Sequence, residues 1–167
     1  MNLRLCLLLA VLGLCACAPA ALEPPPPAPS SPGGATLALE LAAQDDGAIV
    51  VDLRYARRPE QAGPRVVELY LGLSDNLGFA AAEPGEAAIR AGKQLTVQPG
   101  ADGTLRTVLL SPSSVAQIDS GLLARYRLTR RSPGPARVEI LDRTPVFAPV
   151  EANEGVVLGD PLPVGGR

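Results

Sequence analysis

The stretch Val67-Glu68-Leu69-Tyr70-Leu71-Gly72-Leu73 decides the fold class. Val67, Leu69, Leu71 and Leu73 alternate with Glu68, Tyr70 and Gly72, a period of two. In a strand successive side chains point to opposite faces, so this pattern buries one face and leaves the other outside. The same period recurs on both sides. Upstream, Ile49, Val51, Leu53 and Tyr55 alternate with Val50, Asp52 and Arg54, and Leu37, Leu39 and Leu41 alternate with Ala38 and Glu40. Downstream, Leu122, Ala124, Tyr126 and Leu128 alternate with Leu123, Arg125, Arg127 and Thr129.

Between these runs lie turn residues: Gln44-Asp45-Asp46-Gly47, the two-proline loop Arg57–Pro64, Ser74-Asp75-Asn76, Glu83-Pro84-Gly85, Pro99–Gly103 and Ser132-Pro133-Gly134-Pro135. Glycine supplies positive φ and proline pre-sets a turn while removing a donor. Shorter strands are expected over Leu77–Ala82, Gln94–Gln98, Thr104–Ser111, around Val138 and Ile140, over Val146–Val150 and over Gly155–Leu158. Glu86–Ala91 is a single helical turn or irregular, and Pro112–Ser120 connects. About nine short strands at even spacing, with no uninterrupted helical period of a dozen residues, predict an all-β sandwich, with a barrel as the alternative. The tail 159–167, rich in Pro and Gly, is expected to fray.

The N-terminal part has a different composition. Leu5 to Leu14 is an apolar run behind Arg4, too short for the roughly 20 residues that span a bilayer and of the length of a signal-peptide core. Leu14-Cys15-Ala16-Cys17 resembles a bacterial lipobox, with Leu three residues before the cysteine and a small residue just before it. The resemblance implies cleavage after Ala16 and lipid attachment at Cys17. It also implies an envelope location, the outer membrane of a Gram-negative cell, since no Asp follows Cys17. Cys15 fits poorly as the acceptor, because Leu14 would occupy the position that needs a small residue. A plain secretory signal cleaved near Ala16 or Ala20 is the alternative. Two or more acyl chains anchor stably where one binds only marginally. Residues 17–35 carry Pro24-Pro25-Pro26-Pro27, Pro29, Pro32 and Gly33-Gly34, an extended tether at about 3.1 Å per residue. The expected organisation is a signal peptide over 1–16, a tether over 17–35, a sandwich over 36–158 and the tail.

Composition narrows the chemistry. The chain has 167 residues, of which roughly 110 to 130 remain for the folded part, enough for one domain. It contains no histidine, the commonest general base and zinc ligand, and its three cysteines are Cys6, Cys15 and Cys17. The sandwich therefore has no disulfide and no Cys-based metal site, and must rely on its apolar core. A net charge of −2 with scattered charges makes no electrostatic case for nucleic acid.

Glu68, Asp75, Glu83, Glu86 and Asp119 are the acids available for paired-carboxylate chemistry, and nothing in their spacing brings two together. Asp45-Asp46-Gly47 and Asp102-Gly103 lack calcium-loop spacing and read as turns. Arg125, Arg127, Arg130 and Arg131 form either a docking patch for an acidic partner or a solvated strand face. With no tryptophan and aromatics at 3%, an aromatic platform for stacking on a sugar ring is absent apart from Tyr55, Tyr70 and Tyr126. No catalytic residue, cofactor or metal site is expected, and Cys17 is the one site with assigned chemistry.

The order of elements over about Thr36 to Leu158 resembles the cohesin family, nine-stranded jelly-roll sandwiches related to some carbohydrate-binding modules. The likeness is carried by Val67-Glu68-Leu69-Tyr70-Leu71 running to Asp75 and Phe79, by Asp102-Gly103-Thr104-Leu105-Arg106, and by Ser120-Gly121-Leu122 opening a later strand. Where the family has Tyr-Asp-Pro after its third strand, this chain has Ser74-Asp75-Asn76. The resemblance implies a non-catalytic binding or scaffolding module that holds a protein partner on one sheet face. A carbohydrate-binding module is the alternative.

Overall fold

The computed structural model describes residues 34–45, 47–141, 146–148 and 156–165, the backbone alone over 146–148. The expected signal peptide, Cys17 and all of the tether before Gly34 lie outside the described residues. The described residues belong to one compact unit, Ser31–Arg167.

The described residues form eleven strands and one short helix, in order. They are β1 (Thr36–Gln44), β2 (Ala48–Ala56), β3 (Val66–Leu73), β4 (Leu77–Pro84), α1 (Glu86–Arg90), β5 (Gln94–Pro99), β6 (Thr104–Leu110), β7 (Gly121–Arg130), β8 (Ala136–Ile140), β9 (Val146–Ala148), β10 (Val157–Leu158) and β11 (Leu162–Val164). Sheet I has the order β10-β1-β2-β7-β4, and sheet II the order β11-β8-β3-β6-β5. The short β9 pairs with Val66–Glu68 of β3. All pairings are antiparallel except β1 with β10. The result is an all-β jelly-roll sandwich.

The inward residues are those of the period-two pattern. Ile49, Val51, Leu53 and Tyr55 from sheet I meet Val67, Leu69 and Leu71 from sheet II, all at most 2% exposed. One hydrogen bond crosses the core: the Tyr126 hydroxyl on β7 donates to Thr107 Oγ1 on β6 at 2.9 Å. Thr107 is wholly buried, so this bond satisfies a hydroxyl that has no access to water.

Helix α1 carries the chain across one seam, from β4 in sheet I to β5 in sheet II, and buries Ala87 and Ala88. Gly85 before it lies against the β7 backbone, where a Cβ would come within 2.3 Å of the Leu122 carbonyl oxygen. After it, Gly92 at φ +66 ends the helix, with Gly92 N–H donating to Ile89 O and Lys93 N–H to Ala88 O, a Schellman-type stop.

Two bulges shift the expected alternation. Between Leu41 and Ala43 the β1–β2 register slips; Leu41 just before it keeps the inward phase opposite the buried Val51 but is 42% exposed. Between Leu53 and Arg54 the β2–β7 register slips past Leu123. Leu123 is then wholly buried beside Ala124, while Leu122, the expected inward residue, is only half-buried. An extra residue in one strand turns every later side chain to the other face.

The sandwich also extends past both expected ends. Ala35, assigned to the tether from sequence, is fully buried, and its carbonyl accepts from Val157 N–H. Leu162–Val164, assigned to a fraying tail, forms β11 on β8 and buries Val164 completely. Arg130 holds that strand, donating to the Val164 and Gly165 carbonyls at 3.1 and 2.8 Å, and Gln44 Nε2 reaches the Gly165 carbonyl as well. Beyond β11 only Gly165 is described.

Candidate docking faces

A β-sandwich offers a partner two outer sheet faces, and here the two differ in chemistry. On sheet I, cross-strand register aligns Glu40, Asp52, Arg125 and Glu83 in one row across β1, β2, β7 and β4. Arg125 grips Asp52 with two parallel bonds, Nε to Oδ1 at 2.7 Å and Nη2 to Oδ2 at 2.9 Å. Arg54 pairs with Glu40 and approaches Asp52 at 3.9 Å. Arg127 reaches Glu83 at 4.0 Å.

The Asp52 side chain is only 4% exposed although it sits on an outer face, because the two arginines cover it. Asp52 first, then Glu83 and Glu86, hold the Arg125 guanidinium above its ordinary range. The charges on this face satisfy one another. A partner that drew the arginines away would leave Asp52, the desolvated ion of this face, without its counter-charge, which is costly.

The arginine cluster read from sequence is thus largely committed. Arg125 binds Asp52 and Arg130 binds Gly134, Val164 and Gly165 carbonyls. Arg131 N–H donates to Asn76 O, and its guanidinium lies over Gly78. These four arginines make strand-to-strand and turn contacts.

Sheet II presents a different surface. Its outward residues on β3 and β6 are Val66, Glu68, Tyr70, Gly72, Thr104, Arg106, Val108 and Leu110, and on β5 Gln94, Thr96 and Gln98. The only charges on these three strands form one pair, Arg106 Nε to Glu68 Oε1 at 2.7 Å, with Gln98 Oε1 at 3.4 Å from the other side of the guanidinium. The hydrogen bond and charge of Glu68 hold Arg106 above its ordinary range. Arg137 and Glu139 form a second, looser pair on β8 at 3.7 Å. Leu110 is 39% exposed at one end of this face. An aromatic ring, an arginine and aliphatic side chains with few net charges are what the centre of a protein–protein interface carries.

The other sequence candidates fall elsewhere. Glu68, Glu83, Glu86 and Asp119 each face an arginine (Arg106, Arg127, Arg90 and Arg57). Among the described residues no three His, Cys, Asp or Glu side chains gather into a metal-holding group. Asp102 accepts from Thr104 Oγ1 at 2.6 Å and Thr104 N–H at 3.3 Å, the work of a turn acid. Gly47 and Gly103 take positive φ in their turns, while Asp46 lies outside the described residues.

The tyrosines correct the sugar-stacking expectation. Tyr55 and Tyr126 are 2% and 1% exposed, built into the core by the inward phase of β2 and β7. Only Tyr70 reaches an outer face. A depression of about 390 Å³ at the Thr36–Tyr55 end of β1 and β2 is lined by Thr36, Arg54, Tyr55, Ser120 and Gly121, and the Tyr55 ring on its wall is only 2% exposed.

What the sequence did not reveal is the contrast between the faces. Asp52 and Arg125 are 73 residues apart, and their pairing follows from the β2–β7 register. The only local signal was opposite charge at outward positions of two strongly alternating strands.

No family model matches this sequence, and no curated protein matches it. Solved structures do. The third cohesin of ScaC from Acetivibrio cellulolyticus, in complex with the ScaB dockerin, superposes with a TM-score of 0.59 at 9% identity, covering 74% of this chain and 93% of that one. The fold is the cohesin fold. The sixth cohesin of scaffoldin B from the same organism, in complex with a dockerin, gives 0.57 at 18% identity, over 68% of this chain and 85% of the other. The non-cellulosomal cohesin from the archaeon Archaeoglobus fulgidus gives 0.50 at 13%, over 75% and 86%. At these identities the likeness to cohesins is one of backbone architecture.

Proposed function

We propose that this chain is a non-catalytic, cohesin-like protein-binding module, held at the cell envelope by lipid on Cys17, that takes its partner on the outer face of sheet II. The observation that carries the reading is the contrast between the faces. Sheet I is sealed by the Glu40–Arg54–Asp52–Arg125 network, whereas sheet II offers Tyr70, Val108 and Leu110 around one neutralised ion pair. The dockerin complexes of the structural neighbours support a protein partner. The lipobox-like Leu14–Cys17 and the proline-rich stretch after it support a tethered position.

The test is site-specific photocrosslinking of the full chain in its native envelope. A photoreactive residue at position 108, on sheet II, should give a discrete adduct with one protein. The same residue at position 127, on sheet I, should not. An adduct from 127 alone, or from neither position, would overturn the assignment of the face.

A further inference from the structure

A sandwich has edges as well as faces. An open edge strand offers unpaired backbone N–H and C=O groups to any strand that reaches it, and proteins usually blunt such edges by shortness, proline, charge or bulges. Among the described strands, most edges here are blunted. β10 has two residues and β9 three. β11 has three with Pro163, which has no N–H, in the middle. β1 beyond its β10 partners carries Glu40 and a bulge. β4 is bulged between Phe79 and Ala81 and ends in Glu83-Pro84.

β5 is different. It is the last strand of sheet II, six residues long, paired with β6 in unbroken register and without a charge; Pro99 only closes its end. Its sequence is also self-complementary. Two copies laid antiparallel about Thr96 set Gln94 opposite Gln98, Leu95 opposite Val97 and Thr96 opposite itself. Leu95 and Val97 pack partly buried against the core, so the paired strands would join the apolar rims of two sandwiches. Gln94, Thr96 and Gln98 are exposed on the outer side, where they would form uncharged polar pairs.

From the one unblunted edge and this matching register, we infer that β5 is a self-association edge that pairs with β5 of a second copy of this chain across a two-fold axis at Thr96. Such an isologous contact closes as a dimer. It joins two copies of sheet II into one continuous sheet, so that their outer faces lie side by side.

The test uses two differently tagged full-length copies, co-expressed and extracted in mild detergent. Wild-type copies should co-purify. Thr96→Lys with Thr96→Lys should lose most of that recovery, and so should Thr96→Glu with Thr96→Glu, because like charges meet at the axis. Thr96→Lys with Thr96→Glu should restore it, which also shows that both variants are folded. Three outcomes overturn the inference: wild-type copies that do not co-purify, like-charged pairs that co-purify as well as wild type, or a mixed pair that fails to recover.

Discussion

The bond between Tyr126 and Thr107 ties the two sheets together through the middle of the core, and its removal has a calculable effect. Tyr126→Phe deletes the donor and leaves the buried Thr107 hydroxyl without this partner. A buried polar group stripped of its partner costs about 1–3 kcal/mol. Thr107→Val deletes the acceptor and leaves the Tyr126 hydroxyl in the same position, at a similar cost. The double variant removes both polar groups and should return to within about 1 kcal/mol of wild type, because matched apolar groups can replace a buried pair almost neutrally.

The cycle should therefore show a coupling energy of at least about 1 kcal/mol, and about 3 kcal/mol at the middle of these ranges. Urea unfolding followed by far-UV circular dichroism supplies all four free energies, with equal m-values as the check that compactness is unchanged. A second signature lies in alkali. Burial drives the Tyr126 phenol far above the usual tyrosine range, offset only in part by the contact with Thr107. The unfolded phenol ionises near pH 10 and the folded one does not. Above about pH 10 the unfolded state therefore holds fewer protons, and stability falls as pH rises, by about 1.4 kcal/mol per pH unit from this group. Tyr126→Phe should show a shallower alkaline loss than wild type by that amount. A Tyr126→Phe variant within about 0.5 kcal/mol of wild type, an additive cycle or an unchanged alkaline slope would refute the cross-sheet bond.

Other outcomes follow from the same geometry. Arg125→Met should lower the urea midpoint, because it leaves the covered Asp52 carboxylate without its two-point partner, whereas Arg127→Met, which loses only a 4.0 Å contact to Glu83, should leave the midpoint unchanged. Deleting residues 161–167 removes β11 and the buried Val164, and should cost about 2–4 kcal/mol and speed hydrogen exchange in β8. Cys17→Ser should abolish labelling by a clickable fatty acid and move the protein from the membrane to the soluble fraction; a chain that stays in the membrane refutes lipid attachment at this residue.

The strands and turns were legible because they are local. Period-two alternation places Ile49, Val51 and Leu53 inside without knowledge of any neighbour, and Asp102-Gly103 marks its own turn. The features that escaped depend on register between distant strands. A single extra residue, Leu123, opposes no partner on β2 and reverses the face of what precedes it. The tail looked loose because Pro161, Pro163, Gly159 and Gly165 weaken it locally. It is held by Arg130, more than thirty residues earlier, and by burial of one valine. Tyr55 and Tyr126 carried the correct inward phase from the start, and that phase buries both side chains, leaving neither ring open to stack on a sugar. The contrast between a charge-sealed sheet and an open one was not legible, since it needs both pairings and burial.

The most direct test of the docking assignment is affinity, measured with the protein captured from position 108. Val108→Asp on sheet II and Arg127→Asp on sheet I each place one new negative charge on an outer face of the full-length chain. If the partner sits on sheet II, Val108→Asp should weaken binding by about 30-fold or more, the scale of a central interface residue, and Arg127→Asp should change it by less than about threefold. The reverse order, or equal affinity in both variants, would contradict the account.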